Sequence, residues 1–264
     1  MTFDPNLVAP SLYVERMAKP LIDKLFFVDK VEADLYVDYG CADGTLVKFL
    51  RMLNPEARIV GYDISEDMLV LAREQVPGVI FTSDWAEVRR TANAVQAAGG
   101  RTCLVLSSVI HEVYAYSSEA EVATFWDRVR GGNGEPGFDV VAVRDMMVAR
   151  AASRPADPLA AARVRQVFDA TKVAEWEATW GGLDENWSLV HFLLTCPYVD
   201  NWNRELHENY LPISVEDFVR RFPFEYAPTY REHFAPPFLA RRVMKQFGFR
   251  VPDPTHLKLI MERG

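Results

Sequence analysis

The chain has 264 residues, a formal net charge of −8, 49 % hydrophobic and 25 % charged residues, the make-up of a globular protein long enough for one large core. The acidic balance argues against a general binder of phosphate backbones or anionic membranes and leaves room only for a local basic groove. Cys41, Cys103 and Cys196 stand far apart with no CxxC or Cys/His spacing, so a zinc site, a disulfide framework and any other bound metal are not expected. The first twenty residues lack a charged-then-apolar leader, and no apolar run is long enough to cross a bilayer. The expected setting is the cytoplasm.

In chain order, residues 11–30 predict a helical preface with Leu12, Met17, Leu21, Leu25 and Phe26 on one face, within an N-terminal extension over 1–32. "LYVDY" (35–39) is a short strand that runs into a glycine turn, and "TLVKFLRML" (45–53) has helical spacing, stopped by Asn54-Pro55. "RIVGYDI" (58–64) is the second strand, Ser65 caps a helix over 66–75, and "VIFT" (79–82) is the third strand. A helix follows from Asp84 to about Ala98, then the uniformly apolar strand "TCLVLSSVI" (102–110). Ser118 and Glu121 form a capping box for a helix to Arg130, and "FDVVAVRD" (138–145) is the fifth strand.

Short helical crossovers between apolar strands predict an α/β fold: a Rossmann-like, doubly wound, mostly parallel sheet of about seven strands. The rhythm breaks after residue 146. Residues 146–213 are helical and rich in aromatics, and read as a lid-like insertion after the fifth strand rather than as a second domain. A helix over 214–222, a strand over 224–234, a helix over 236–247 and a strand over 256–262 complete a single domain over 1–264. Trp176, Trp180 and Trp187 are expected to pack, with a substrate cage as the alternative.

Three acids, Asp38, Asp63 and Asp84, stand at or just after the ends of the first three strands. Ligands of such sheets bind at the carboxyl ends of the strands. An acid after the second strand can accept both hydroxyls of a ribose, and one after the third can accept the exocyclic amine of adenine, so an adenosine group is expected. The turn Gly40-Cys41-Ala42-Asp43-Gly44-Thr45 fails the GxGxxG dinucleotide pattern, and Asp43 at the helix mouth would repel a pyrophosphate.

The run D-x-G-x-A-x-G from Asp38 to Gly44 resembles the first motif of class I S-adenosylmethionine-dependent methyltransferases, usually D/E-x-G-x-G-x-G. The resemblance extends over about residues 33–145, with "GYDIS" (61–65), "SDW" (83–85) and "LSSVIHEV" (106–113) similar to the later motifs. It implies S-adenosyl-L-methionine as cofactor. It also implies that Asp38, Gly40, Cys41 and Gly44 line the cofactor's first turn, that Asp63 and Ile64 lie at its ribose, Asp84 and Trp85 at adenine, and Ser107 near the methionine end. Ala42 replaces the usual middle glycine, at little expected cost if only its backbone contacts cofactor.

His111 and Glu112, just past the fourth strand, are the candidate catalytic residues. A histidine suits proton transfer near neutral pH, and a structural tie for the loop is its alternative role. Tyr114, Tyr116, Arg144 and Asp145 fall near the same rim, the last two expected as a structural pair. No N/D-P-P-Y/F motif or Pro-Cys pair follows the fourth strand, which argues against exocyclic-amine and cytosine-C5 nucleic-acid branches. Arg144, Arg150, Arg154, Arg163 and Arg165 keep an RNA or phosphorylated substrate open. The leading expectation is methyl transfer to an oxygen or nitrogen of a small molecule covered by the insertion. An RNA or nucleotide methyltransferase, a catalytically silent binding protein and a nicotinamide dehydrogenase are the alternatives; the accepting atom and the oligomeric state stay open.

Overall fold

The computed structural model describes residues 21–132, 134 and 136–264. The N-terminal half of the predicted preface, with Leu12 and Met17, lies outside the described residues. Seven strands form one sheet in the order β3-β2-β1-β4-β5-β7-β6. β1 (Leu35–Tyr39), β2 (Arg58–Tyr62), β3 (Ile80–Thr82), β4 (Thr102–Ser107) and β5 (Val140–Met146) are parallel. β7 (His256–Arg263) runs antiparallel between β5 and β6 (Tyr226–Phe234).

Helices α1 (Leu21–Lys24), α2 (Thr45–Leu53), α3 (Glu66–Gln75), α4 (Trp85–Ala97), α5 (Ile110–Tyr116) and α6 (Glu119–Arg130) fall within the first five strands or just before them. β1 and β4 are buried at every position, because helices cover both faces of the sheet. On one face Leu46, Val47 and Leu50 of α2 and Leu69 of α3 pack on Tyr36, Val105 and Ala142. On the other, Val88 and Ala92 of α4 and Phe125 and Trp126 of α6 pack on Leu35, Val37 and Leu104. Each such buried side chain contributes about 1.5–3 kcal/mol. The predicted caps form: Ser65 accepts from Met68 N, and Ser118 and Glu121 make a reciprocal capping box.

Two expectations change. The fourth strand ends at Ser107 and not at residue 110, because Ser108 takes a left-handed conformation at φ 58° that ends extended pairing. His111 therefore stands in the first turn of α5, a helix the sequence reading did not anticipate. Over the described part of the preface, the helix expected to run to residue 30 stops at Lys24, and turns follow to residue 30.

The segment after β5 carries α7 (Pro158–Val167), α8 (Ala170–Trp180), α9 (Asn186–Thr195) and α10 (Trp202–Glu205). After α11 (Val215–Val219) and β6 comes α12 (Pro237–Phe247), whose Leu239, Val243 and Phe247 join Val164, Trp176, Phe192 and Leu193 in one apolar cluster. Trp176, Trp180 and Trp187 do gather around a centre, with ring centroids 4.6, 4.7 and 5.0 Å from it, but that centre is the chain's own His191. Burial holds the His191 imidazole neutral by pushing its pKa down to about 3. The cage is filled from within.

The turn after β1 is built from left-handed residues: Gly40 at φ 78°, Ala42 at 46° and Gly44 at 79°. A Cβ on Gly40 would lie 2.6 Å from Val109 Cγ2, so only glycine lets the turn pass the end of β4. Ala42 meets the same conformational demand with a Cβ, and the small cost expected for replacing the middle glycine is corrected upward, to about 1–2 kcal/mol.

Two outcomes follow for urea unfolding. Gly61→Ala, whose new Cβ would lie 2.4 Å from Phe81 Cδ1 and 2.9 Å from Cys41 Sγ, is expected to destabilise by about 1–3 kcal/mol. Ala42→Gly relieves the left-handed strain and is expected to leave stability unchanged or raise it by up to about 1 kcal/mol, the opposite of an ordinary alanine-to-glycine change.

Candidate active site

β1 lies between β2 and β4, where the strand order reverses, and the carboxyl edge there is the natural ligand crevice. The acid after β2 fixes the turn after β1. Asp63 accepts the amide of Ala42 through Oδ2 at 2.9 Å and that of Ser65 through Oδ1 at 2.9 Å. Gly40 and Cys41 donate their amides to Tyr62 O at 2.7 and 3.0 Å. Asp43 turns inward instead: its carboxylate accepts the amide and hydroxyl of Thr45 at 3.1 and 3.0 Å. That carboxylate occupies the mouth of α2, where a pyrophosphate would otherwise sit.

Asp38 and Ser107 lie on one face of the sheet at this edge, with Asp38 opposite Gly61 and Val105 in register. The Asp38 side chain is buried, and burial raises its pKa to about 7, with Lys24 pulling it down and Asp63 pushing it up. The Ser107 hydroxyl is buried with no hydrogen-bond partner among the described residues. Lys24, delivered by α1, feels Asp38, Asp145 and Glu112, while burial and Arg144 lower its pKa. An orphaned hydroxyl, a desolvated carboxyl and an ammonium beside a glycine turn fit a zwitterionic amino-acid moiety next to a nucleoside. Arg144 and Lys258 hold α1 in place through Asp23, at 3.0 and 2.6 Å.

The remaining candidates are distributed unevenly. Ile64 stands 60 % exposed directly after Asp63, an apolar surface at the crevice. Cys41 is a buried free thiol that packs in the core, its pKa pushed far up by burial. Asp84 caps α4 by accepting the amide of Ala86 at 2.8 Å, and its other oxygen lies 3.5 Å from Arg90. The Trp85 ring packs edge-on against Tyr39 and Tyr62, with the Arg128 guanidinium 5.2 Å from its centroid. That guanidinium donates to both tyrosine hydroxyls.

The sharpest departure concerns His111. Its Nδ1 lies 2.7 Å from Asp145 Oδ1 and its Nε2 3.3 Å from Glu208 Oε1. Burial lowers its pKa, but Asp145 and Glu208 outweigh that and raise it to about 10. The imidazole is a buried imidazolium with both nitrogens taken, so the base expected at this position does not fit the geometry. It acts as a tie, one end on β5 and the other on the insertion. Asp145 also accepts the amide of Ile110 at 2.7 Å, which anchors the first turn of α5. The expected Arg144–Asp145 pair does not form. Neighbours on a strand point to opposite faces, and Arg144 goes to Asp23 and Ser108 while Asp145 goes to His111.

Glu112 is differently placed. Its side chain is 21 % exposed, and Arg204 Nη2 lies 3.9 Å from its Oε1. Burial first, then Glu208, raise its pKa to about 7 against His111 and Arg204. The partners from the insertion were missed in the sequence. Arg204 also approaches Glu205 and Glu208 at 3.3 Å each, Tyr116 donates to Glu208 at 2.9 Å, and the Tyr210 hydroxyl donates to Glu205. The one available signal was "RELHENY" (204–210), an acid-rich run inside an apolar insertion. His111, Glu112 and Glu208 offer donor atoms within 4.8 Å of one another, the spacing of a cation site, but the Arg204 guanidinium already supplies charge to both glutamates.

The arginine run is spent internally. Arg150 pairs with Asp217, Arg154 with Asp253, and Arg165 with Glu177 and Asp184, while Arg163 donates to Phe247 O and Gln166. No helix among the described residues is long and apolar enough to cross a membrane.

No protein-family model matches the chain. A 69-residue stretch is 35 % identical to trans-aconitate 2-methyltransferase of Afipia carboxidovorans, covering 26 % of this chain and 27 % of that protein. An 84-residue match to trans-aconitate 2-methyltransferase of Acidovorax ebreus is 33 % identical and covers 29 % of this chain and 33 % of the relative. The matches thus span about a quarter to a third of the relatives' length. A solved S-adenosylmethionine-dependent methyltransferase of Mesorhizobium loti is 18 % identical, with coverage of 94 % of this chain and 98 % of its own and a TM-score of 0.49. The acid–glycine turn of β1, pinned by the carboxylate after β2, falls at the switch point of a seven-stranded Rossmann-like sheet. On that sheet the chain is similar, over 26–29 % of its length, to trans-aconitate 2-methyltransferases.

Proposed function

We propose that this protein is an S-adenosylmethionine-dependent methyltransferase acting on an oxygen or nitrogen atom of a small molecule, with Glu112 as the proton acceptor. The observation that carries the reading is the left-handed turn Gly40–Gly44 locked to Asp63, with the desolvated Asp38 and the partnerless Ser107 hydroxyl beside it. Asp63 keeps lone pairs free after binding its two amides and can accept ribose hydroxyls. Asp38 and Ser107 face the amino-acid end, Ile64 offers an apolar face to the base, and Asp84 stands at the third strand end with acceptor capacity left over.

S-adenosylmethionine supplies a methyl group on a sulfonium that is already a good leaving group. The protein's task is alignment, exclusion of water and removal of a proton. Glu112 suits the last of these. It is partly exposed, close enough to feel Lys24 and Asp63 of the cofactor crevice, and held near neutrality by its surroundings. His111 keeps it oriented from the neighbouring position, and Glu208 brings the insertion down beside it. Small-molecule acceptance is favoured over RNA because Arg150, Arg154 and Arg165 are engaged by the chain's own acids. The substrate for which the relatives are named, trans-aconitate, is a small molecule too.

S-Adenosylhomocysteine at a hundredfold excess over its Kd is expected to stabilise the fold by about 2.7 kcal/mol. Asp63→Asn should weaken its binding more than tenfold by calorimetry, through loss of charge-assisted hydrogen bonds. Saturating ligand without any thermal response would remove the reading.

A raised carboxyl pKa means that Glu112 is neutral below about 7 and becomes a base above it. The groups facing it are Glu208 and Asp63, which push its pKa up, and His111 and Arg204, which pull it down. Turnover is expected to rise with pH through that region. Glu112→Gln should lower kcat by roughly 10²–10⁴-fold and remove the pH step while leaving S-adenosylhomocysteine affinity in place. A variant that keeps the pH step would assign the base elsewhere.

A further inference from the structure

Three aromatic residues adjoin the three strand ends that carry the cofactor-side acids and glycine turn. Tyr39 ends β1 beside Gly40, Tyr62 ends β2 beside Asp63, and Trp85 starts α4 beside Asp84. Tyr39 and Tyr62 are paired in register with ring centroids 4.8 Å apart, and the Trp85 ring lies 5.5 and 5.2 Å from theirs. Successive side chains of a strand point to opposite faces, so the rings gather on the face away from Asp38.

One guanidinium joins them. Arg128, half-buried on α6, donates from Nη1 to the Tyr39 hydroxyl at 3.2 Å and to the Tyr62 hydroxyl at 2.9 Å. The same group lies 5.5 Å from the Tyr62 ring centre and 5.2 Å from that of Trp85, within range of cation–π attraction. No carboxylate among the described residues pairs with it, so charge neutralisation is not what holds it there. A planar fork can bridge two hydroxyls and lie on a ring at once, which a lysine ammonium cannot do. The residues it ties also carry the turn: Tyr62 O accepts the amides of Gly40 and Cys41 at 2.7 and 3.0 Å, and the next carboxylate, Asp63, accepts that of Ala42 at 2.9 Å. Any shift of Tyr62 therefore moves the glycine turn and Asp63 together.

Resting on the methyltransferase reading, we propose that Arg128 is the positioning residue for the adenosine half of the cofactor. By locking Tyr39, Tyr62 and Trp85 to one another from α6, it fixes the spacing of the Gly40 turn, Asp63 and Asp84. Hydrogen-bond acceptors serve a ligand well only when held within about 0.5 Å of the productive geometry by neighbours that are themselves fixed. Arg128 acts through the three aromatic residues, not on the ligand. The amino-acid end, with Asp38 and Ser107 on the opposite face, lies outside this bracing.

The test is calorimetry on the full chain with two ligands: S-adenosylhomocysteine, and 5′-methylthioadenosine, which keeps the nucleoside and lacks the amino-acid group. Failure of the unmutated chain to bind S-adenosylhomocysteine removes the methyltransferase reading itself. Where it binds, Arg128→Met is expected to weaken both ligands by the same factor, about tenfold or more, at a temperature where circular dichroism shows the variant folded. Tyr39→Phe combined with Tyr62→Phe keeps both rings and deletes only the hydroxyl acceptors. That pair should weaken both ligands about threefold or more, and adding Arg128→Met to it should cost less than Arg128→Met costs alone. Unchanged affinity in folded Arg128→Met overturns the proposal. So does a loss confined to S-adenosylhomocysteine, which would place Arg128 at the amino-acid end, and so does an unmutated chain that binds S-adenosylhomocysteine but not 5′-methylthioadenosine, since no adenosine subsite is then held ready. If Arg128→Met does not fold, the paired tyrosine variant decides, and unchanged binding of both ligands by that variant overturns the proposal.

Discussion

The carboxylate of Asp145 is the constraint on which the candidate site depends. Fully buried on β5, it accepts the amide of Ile110, the amide of Met146 and the Nδ1–H of His111. Those bonds fix the first turn of α5 and hold the histidine as an imidazolium. The other nitrogen of that ring then reaches Glu208 from the insertion. Removing one partner from such a buried charge pair leaves the other uncompensated, at a cost of about 3–5 kcal/mol. The anchor at the start of α5 therefore also ties the helical segment, through Glu208, to the end of β5.

Two left-handed residues that are not glycine mark the same edge. Ala42 lies in the turn after β1 and Ser108 ends β4, each where a strand stops abruptly. Conformations of this kind persist where the surroundings over-determine them. Here Ala42 is held by the carboxylate of Asp63, and Ser108 by its amide to Arg144 O and by its hydroxyl, which accepts from the Arg144 guanidinium. The backbone is thus bent into position before any ligand arrives, which lowers the ordering cost of binding.

The electrostatics divides the crevice in two. On the side of β1, Lys24, Asp38 and Ser107 present both signs of charge and a free hydroxyl, suited to a zwitterion. On the side of α5 and the insertion, Asp145, Glu205 and Glu208 lie against His111 and Arg204, and burial and Glu208 raise the pKa of Glu112 and of Glu205 to about 7. Ionising these groups in the folded state is unfavourable relative to the unfolded chain, so their contribution to stability falls as pH rises from the ordinary glutamate range through about 7. A site that carries such a cost is a common companion of acid–base function.

The sequence by itself determined the sheet, the switch point and the cofactor-side candidates, because those rest on local rules. Apolar runs bounded by turns give buried strands, caps such as Ser65 and Ser118 start helices, and the spacing of Asp38, Gly40, Gly44 and Asp63 sets a turn whose geometry is encoded in neighbouring residues. Tertiary structure alone decided the rest. Nothing in "LSSVIHEV" says that His111 will lie between Asp145 and Glu208, which are 34 and 97 positions away, nor that two carboxylates will turn a textually plausible base into a fixed cation. The tryptophans of the insertion show the same limit: their composition allowed a cage, and only packing filled it with His191. A side chain's proton affinity depends on burial and on charges brought in from distant segments, and those are properties of the folded chain.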